Sequence, residues 1–246
     1  MSISAPTLNL VLPLHRWLPD TDLRLQQGLA ELRSRLKHKV ALQPILSLDG
    51  PVYTPNQVLQ NLLDSGWIVM SSSQQLGKGA TVRRGLAAED ADYFVFTDSD
   101  YPFVPESVEA VVDRLIDGAD VVFGRRSERY QNQLPPARKR ISTALLSFNR
   151  RVLKLKHPDT QCGLKGFSPK GLELALQTRS EGFLLDLELA LLARDQNGIR
   201  WDAVDVETRD GLEFSQMSRS TLWREFREGL GLLARHGWKS RGPEAR

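Results

Sequence analysis

Apolar positions in the first half of the chain alternate between a period near two and a period near 3.6, and the switches are regular. Leu8 to Leu12 reads as a strand ending at Pro13, and Leu25, Leu29, Leu32 and Leu36 then recur at helical spacing behind a capping Thr21. Val40 to Leu48 is strand-like apart from Pro44 and stops at Asp49-Gly50. Thr54-Pro55 opens a helix with Val58, Leu59, Leu62 and Leu63, closed by Gly66. Trp67 to Met70 forms a short strand and Gly79 to Ala88 a further helix. Tyr93-Phe94-Val95-Phe96 reads as a buried strand, and Pro105 starts a helix with Val108, Val111, Val112, Leu115 and Ile116 on one stripe. Asp120 to Phe123 is a strand ending at Gly124. This succession predicts an α/β protein with a mostly parallel central sheet and helices on both faces.

The second half is less regular. Gln131 to Pro136 is a polar loop, and a basic helix runs from about Ala137 to Lys156. Arg138, Lys139 and Arg140 read as a solvated face of it. Asp159-Thr160-Gln161-Cys162-Gly163 interrupts, Leu185 to Gln196 forms a helix, and Ile199 to Val206 a strand. In the tail, Leu222, Trp223, Phe226, Leu230 and Leu233 share one helical stripe with Arg224, Arg227 and Arg235 elsewhere. A basic amphipathic helix of that kind can lie on a membrane, pack back on the domain or pair with a second copy. Residues 1–215 thus read as one domain and 216–246 as a basic amphipathic appendage.

Composition narrows the picture. The 246 residues are 41% hydrophobic and 26% charged, as in an ordinary soluble domain, and a net charge of +3 does not argue for a nucleic-acid partner. Cys162 is the single cysteine, which excludes an internal disulfide framework and a multi-cysteine zinc site. The first residues lack a signal-peptide pattern and no apolar stretch approaches a membrane span. The expectation is a cytoplasmic protein, with peripheral contact at the inner face of the membrane and oligomeric state left open.

Asp98-Ser99-Asp100 directly follows the Tyr93–Phe96 strand, so both carboxylates emerge at its C-terminal end. Ligands bind at that edge of open α/β sheets. Two carboxylates one residue apart suit a hard divalent cation that takes its other oxygens from a substrate phosphate. The same turn could instead only cap the next helix. Gly77-Lys78-Gly79 either cradles a phosphate or simply begins the helix that follows. Asp49 and Pro13 end strands at the same edge; Asp49 could accept a hydrogen bond from a nucleotide base or just form a turn with Gly50. Cys162 reads as a packed small residue rather than a nucleophile, and His15 as a hydrogen-bonding residue rather than a metal ligand.

Five strings in order resemble glycosyltransferase family 2: Gly77 to Gly85, Phe96 to Asp100, Val121 to Arg126, Asp159 to Lys165, and Glu181-Gly182-Phe183-Leu184-Leu185-Asp186-Leu187-Glu188-Leu189. The last three are most similar to its dolichol-phosphate mannose synthase and dolichol-phosphate glucosyltransferase branch, over about residues 8 to 215. The resemblance implies a GT-A (Rossmann-like) nucleotide-sugar-binding fold for 1–215. It implies transfer of a hexose, with inversion, from a UDP- or GDP-sugar to an acceptor phosphate, with polyprenyl phosphate expected. Asp98 and Asp100 would hold Mg²⁺ or Mn²⁺. Pro13, Asp49, Lys78, Asp98 and Arg209 would bind the donor; Arg126, Gln161 and Glu188 would bind the acceptor. An acceptor phosphate needs no general base, being anionic near neutral pH. A hydroxyl acceptor would, and Asp186 is then the first candidate.

The chain also departs from the family pattern. Pro13-Leu14-His15-Arg16-Trp17 stands in place of Pro-Ala-Tyr-Asn-Glu, Leu48-Asp49-Gly50-Pro51 in place of Asp-Asp-Gly-Ser, and Pro102 in place of a metal-site glutamine. Gly211 to Ser215 lacks the usual lysine. Two other readings therefore stand beside the first: a family 2 transferase acting on a hydroxyl, and a nucleotide-sugar binder that has lost catalysis.

Overall fold

The computed structural model describes residues 5–52, 56–127, 130, 134–157, 159–209, 228–229 and 231–232. Seven strands form one sheet: β1 (Thr7–Leu14), β2 (Ala41–Leu48), β3 (Ile68–Met70), β4 (Tyr93–Phe96), β5 (Val121–Arg126), β6 (Lys165–Phe167) and β7 (Trp201–Val206). Their spatial order is β3-β2-β1-β4-β6-β5-β7. All pairs are parallel except β4–β6 and β5–β6. The helices described are α1 (Thr21–Leu36), α2 (Asn56–Asp64), α3 (Lys78–Leu86), α4 (Pro105–Ile116), α5 (Pro136–Arg151), α6 (Pro169–Leu176) and α7 (Leu185–Asp195).

Strand alternation sorts the apolar residues into two cores. Leu8, Leu10, Leu12, Val95 and Val122 face one side, where α1 supplies Leu25, Leu29, Leu32 and Leu36 and α4 supplies Val108, Val111, Val112 and Leu115. Val11, Phe94, Phe96, Val121, Phe123 and Phe167 face the other, against Val82 and Leu86 of α3, Leu174 of α6, and α7. Helices therefore cover both faces, as the periodicity predicts.

Several boundaries differ from the sequence reading. β1 continues past Pro13, which pairs in register with Ser47 and is half-buried. Pro44 is accommodated inside β2 one residue before the β3 ladder begins at Ile45. β5 continues past Gly124 to Arg126, because Leu164 accepts from the Gly124 N–H at 2.9 Å and β7 pairs along the whole strand. The basic helix stops at Arg151, and β6 and α6 were not foreseen. The start of the second helix at Thr54-Pro55 lies outside the described residues. So do the tail residues Leu222, Trp223, Phe226, Leu230 and Leu233, and the Gly211–Ser215 segment. Leu232 is fully buried in the second core, and Gly229 approaches Leu184, so this part of the appendage packs back on the domain. Among the described residues no helix is long and apolar enough to cross a membrane.

His157 makes an edge-to-face contact with Trp201, ring centroids 5.1 Å apart, and its Nε2 is buried without a hydrogen-bond partner. Burial, then the neighbouring Lys156 charge, holds its pKa below the ordinary 6.5. The unfolded chain therefore takes up the proton first. Stability contributed by neutral His157 should be complete above pH 6.5 and fall as pH drops below it, by at most about 1.4 kcal/mol per pH unit. Urea denaturation of wild type and His157→Phe between pH 5 and 7.5 should show the flatter profile in the variant.

Candidate active site

Because β6 runs against its neighbours, its first residue lies at the same edge as the last residues of β4 and β5. Lys165 is in register with both Phe96 and Phe123. That edge also holds the C-terminal ends of β1 and β2. The loop before β6, Asp159 to Leu164, is thereby carried into contact with the Asp98–Asp100 turn.

Asp49 is buried, and its Oδ1 accepts from the Leu76 and Gly77 amides at 2.7 and 3.0 Å. This braces the loop that enters α3. Gly77 has φ +88°, a conformation glycine adopts without strain. The Gly79 amide donates to the Glu181 carbonyl at 2.7 Å, and a Cβ at Gly79 would collide with the Ser180 carbonyl. The glycines of the Gly-Lys-Gly string thus serve close packing of α3 against residues 180–181. Arg84 donates to the Leu48 carbonyl, tying α3 to β2.

Lys78, first residue of α3, places Nζ 2.6 Å from Asp98 Oδ1. Burial alone would lower its pKa, but Asp98, Asp186 and Asp100 together raise it. Asp100 keeps solvent contact as a residue. Even so, the protein around its carboxyl withholds water and Asp98 adds like charge, so its pKa lies above the ordinary 3.8. The turn is therefore a pair of like-charged carboxylates with Lys78 as its neighbouring positive charge. Among the described residues no cluster of three or more His, Cys, Asp or Glu forms a metal cage. Two carboxylates completed by substrate phosphate and water are a donor set that fits Mg²⁺ or Mn²⁺.

Lys165 is fully buried on the α7 face of the sheet, between the Phe96 and Phe123 rings at 5.3 and 5.6 Å, and donates to the Cys162 carbonyl at 2.6 Å. Its Nζ also lies 2.7 Å from Asp186 Oδ1, an ion pair that is close but off the hydrogen-bond direction. Glu188, two residues on in α7, points elsewhere: Oε2 accepts from the Arg179 and Ser180 amides at 2.8 and 2.7 Å. It anchors the loop that packs on Gly79. Cys162 is buried and its thiol is pushed up to about 12, which fits a packing residue.

Arg126 is bound by Asp159: Nη2 to Oδ1 at 2.6 Å, Nε and the backbone amide to Oδ2 at 3.0 and 2.8 Å. Nη1 donates to Tyr130 Oη at 3.3 Å, and the guanidinium lies over the Tyr130 ring. Burial works against its charge, but Asp159 outweighs it and the pKa is raised. Gln161 is half-buried in the same loop. Arg209 is placed differently, with its guanidinium engaged by Glu31 of α1 and by the Phe103 carbonyl. A surface hollow of about 630 Å³ lies between α1 and α4 at Glu31, Arg35, Glu106 and Glu109 and is bridged by ion pairs of Arg35 with Glu106 and Glu109.

The structure thus gathers Lys78, Asp98, Asp100 and Asp186 at one strand edge, with Asp49 behind them. It also reveals residues to which the sequence reading gave no role: Lys165, Asp159 and Gly163. All three fall within the quoted Asp159–Lys165 string, in which Gln161 alone was expected to bind a substrate and Cys162 to pack. A methyl at Gly163 would collide with Asp98 Oδ2, the flexible end of a side chain rather than backbone. Gly163→Ala should therefore leave the melting temperature within about 2 °C while displacing Asp98 and weakening Mn²⁺-dependent nucleotide binding about tenfold, as read by calorimetry.

A family model described as Glycosyl transferase family 2 matches residues 30–174. No curated protein sequence matches the chain. Solved structures with similar folds include glucosyl-3-phosphoglycerate synthase from Mycobacterium tuberculosis with Mn²⁺, UDP and phosphoglyceric acid: TM-score 0.61, 21% identity, 94% of this chain and 79% of that one. The same enzyme with Mg²⁺ and UDP gives 0.59, 20%, 94% and 79%. Mannosyl-3-phosphoglycerate synthase from Rubrobacter xylanophilus gives 0.66, 14%, 98% and 79%. At these identities the likeness is one of fold.

Proposed function

The chain belongs to glycosyl transferase family 2, and from that premise we propose that it moves a hexose from a nucleoside-diphosphate sugar to an oxygen of an acceptor phosphate, with inversion. UDP is the first nucleotide to try, because it is the one bound in the similar structures. Asp98 and Asp100 would hold Mg²⁺ or Mn²⁺, which when bound supplies positive charge against the departing diphosphate. Lys78 adds a second positive charge beside the same phosphates. Asp49, with Pro13 at the neighbouring strand end, shapes the side of the site assigned to the base.

The observation that carries the choice of acceptor is Asp186. The carboxylate offered as a general base is buried and paired with buried Lys165, and a hydroxyl proton would have to be delivered to a group already neutralised by an ammonium. A phosphate oxygen needs no such base. Arg126 Nη1, whose bond to Tyr130 is the longest of its contacts, is assigned to the acceptor phosphate, with Asp159 holding the guanidinium and Gln161 beside it. Glu188 orders the adjoining loop, and Arg209 is assigned to the donor side only if it leaves Glu31. Polyprenyl phosphate is the acceptor expected.

The names of the similar structures favour a second reading: transfer to the hydroxyl of a small phosphorylated acid such as phosphoglycerate. Incubation with labelled UDP- and GDP-hexoses, Mn²⁺ and either polyprenyl phosphate or 3-phosphoglycerate separates the two. An acid-labile glycosyl phosphate is expected. An acid-stable glycoside formed only with the phosphorylated acid would overturn the phosphate-oxygen acceptor in favour of the hydroxyl.

A further inference from the structure

Lys78 faces three carboxylates. Its ammonium is 2.6 Å from Asp98 Oδ1 and is attracted also by Asp186 and Asp100. Its side chain is 23% exposed and that of Asp98 38%, so the pair sits at the mouth of the site, open to an incoming ligand. The Asp98 oxygen held by Lys78 belongs to the carboxylate assigned to the divalent cation. An ammonium and a divalent cation on one carboxylate repel each other strongly where water is partly excluded. The backbone of Lys78 is fixed by the Gly79–Glu181 bond and by Asp49 on the amides that precede it, so any rearrangement must come from the flexible stem. The part-exposed Phe183 ring lies 5.9 Å from Nζ, a cation–π contact beside the ion pair.

Resting on the donor-site reading above, we propose that Lys78 is a displaceable counter-ion that keeps the Asp98–Asp100 pair closed to free cations and is released onto the donor's diphosphate when cation and nucleotide arrive together. The diphosphate supplies the negative charge that replaces Asp98 as the partner of Lys78. The site then discriminates against bare metal and accepts the metal–nucleotide complex. In the resting state Lys78 offsets part of the like charge of Asp98 and Asp100 without any metal ion.

The test is a crossed pair of affinities. Mn²⁺ binding without nucleotide is measured by loss of the free-ion paramagnetic resonance signal, and UDP binding at saturating Mn²⁺ by calorimetry. In Lys78→Met, bare Mn²⁺ should bind about tenfold more tightly and UDP about tenfold more weakly than in wild type, as expected for removal of one charge from a partly exposed cluster. Lys78→Arg, which keeps the charge, should hold bare Mn²⁺ as weakly as wild type, and circular dichroism melting confirms that both variants fold. Bare Mn²⁺ affinity that is unchanged or lower in Lys78→Met overturns the counter-ion role even if UDP affinity falls, because a fixed donor contact alone explains that result. Failure of UDP and GDP alike to bind wild type with Mn²⁺ present overturns the donor-site reading, and this inference with it.

Discussion

Asp100→Asn is expected to lower hexose transfer about 10³-fold while the protein melts no lower than wild type. The carboxylate is one of two at the β4 tip, and no third His, Cys, Asp or Glu joins them in a cage among the described residues. Losing one charge therefore removes half of the protein's own hold on the cation. A 10³-fold loss corresponds to about 4 kcal/mol of transition-state stabilisation. Stability should move the other way. The folded-state pKa of Asp100 is raised above the unfolded value, so its ionisation costs the metal-free protein stability as pH rises through the folded pKa. At neutral pH the neutral asparagine escapes that cost. The pairing of kcat/KM with a melting curve checks both halves; a variant retaining a tenth of wild-type activity would remove Asp100 from the cation site.

The second large effect is structural. Lys165→Met leaves Asp186 in a buried position, its ammonium partner gone, among Phe96, Phe123 and α7. Breaking a buried ion pair from one side costs about 3–5 kcal/mol. In a chain of this length that amounts to a melting temperature lower by about 10 °C. The double variant Lys165→Met, Asp186→Leu removes both charges and should recover most of the loss. Chemical denaturation of the two single variants and the double variant gives the coupling directly. Additive losses would mean that the pair is not a unit.

The parts of the fold legible in the sequence are those in which local pattern and tertiary packing agree. The α1 stripe Leu25, Leu29, Leu32, Leu36 is wholly buried, and Tyr93–Phe96 is a strand flanked by both cores. β6 escaped because it is three residues long and reads Lys-Gly-Phe, with a charge where a strand signal would carry an apolar residue. Its lysine is tolerated inside the core because Asp186 and the Cys162 carbonyl satisfy it, and both partners are distant or invisible to periodicity. β5 was cut short at Gly124 because an isolated glycine reads as a stop. Here that glycine allows Cys162 and the Leu164 carbonyl to lie close against the strand. In the site, the Asp98-Ser99-Asp100 turn was legible because it ends a clear strand. The Arg126–Asp159 pair was not, since it joins the end of β5, past the glycine read as a stop, to a loop whose approach depends on the unforeseen strand.

The antiparallel course of β6 has a practical consequence for redesign. A single stretch, Asp159 to Lys165, holds Arg126, proposed for the acceptor, through its first residue, crowds Asp98, proposed for the donor's cation, through Gly163, and pins Asp186 through its last. On the proposed assignment the two substrates share one hinge pin. Loop grafts here that aim to change what receives the sugar will also disturb how the nucleotide is held, so selectivity for the two partners should evolve together rather than as interchangeable modules.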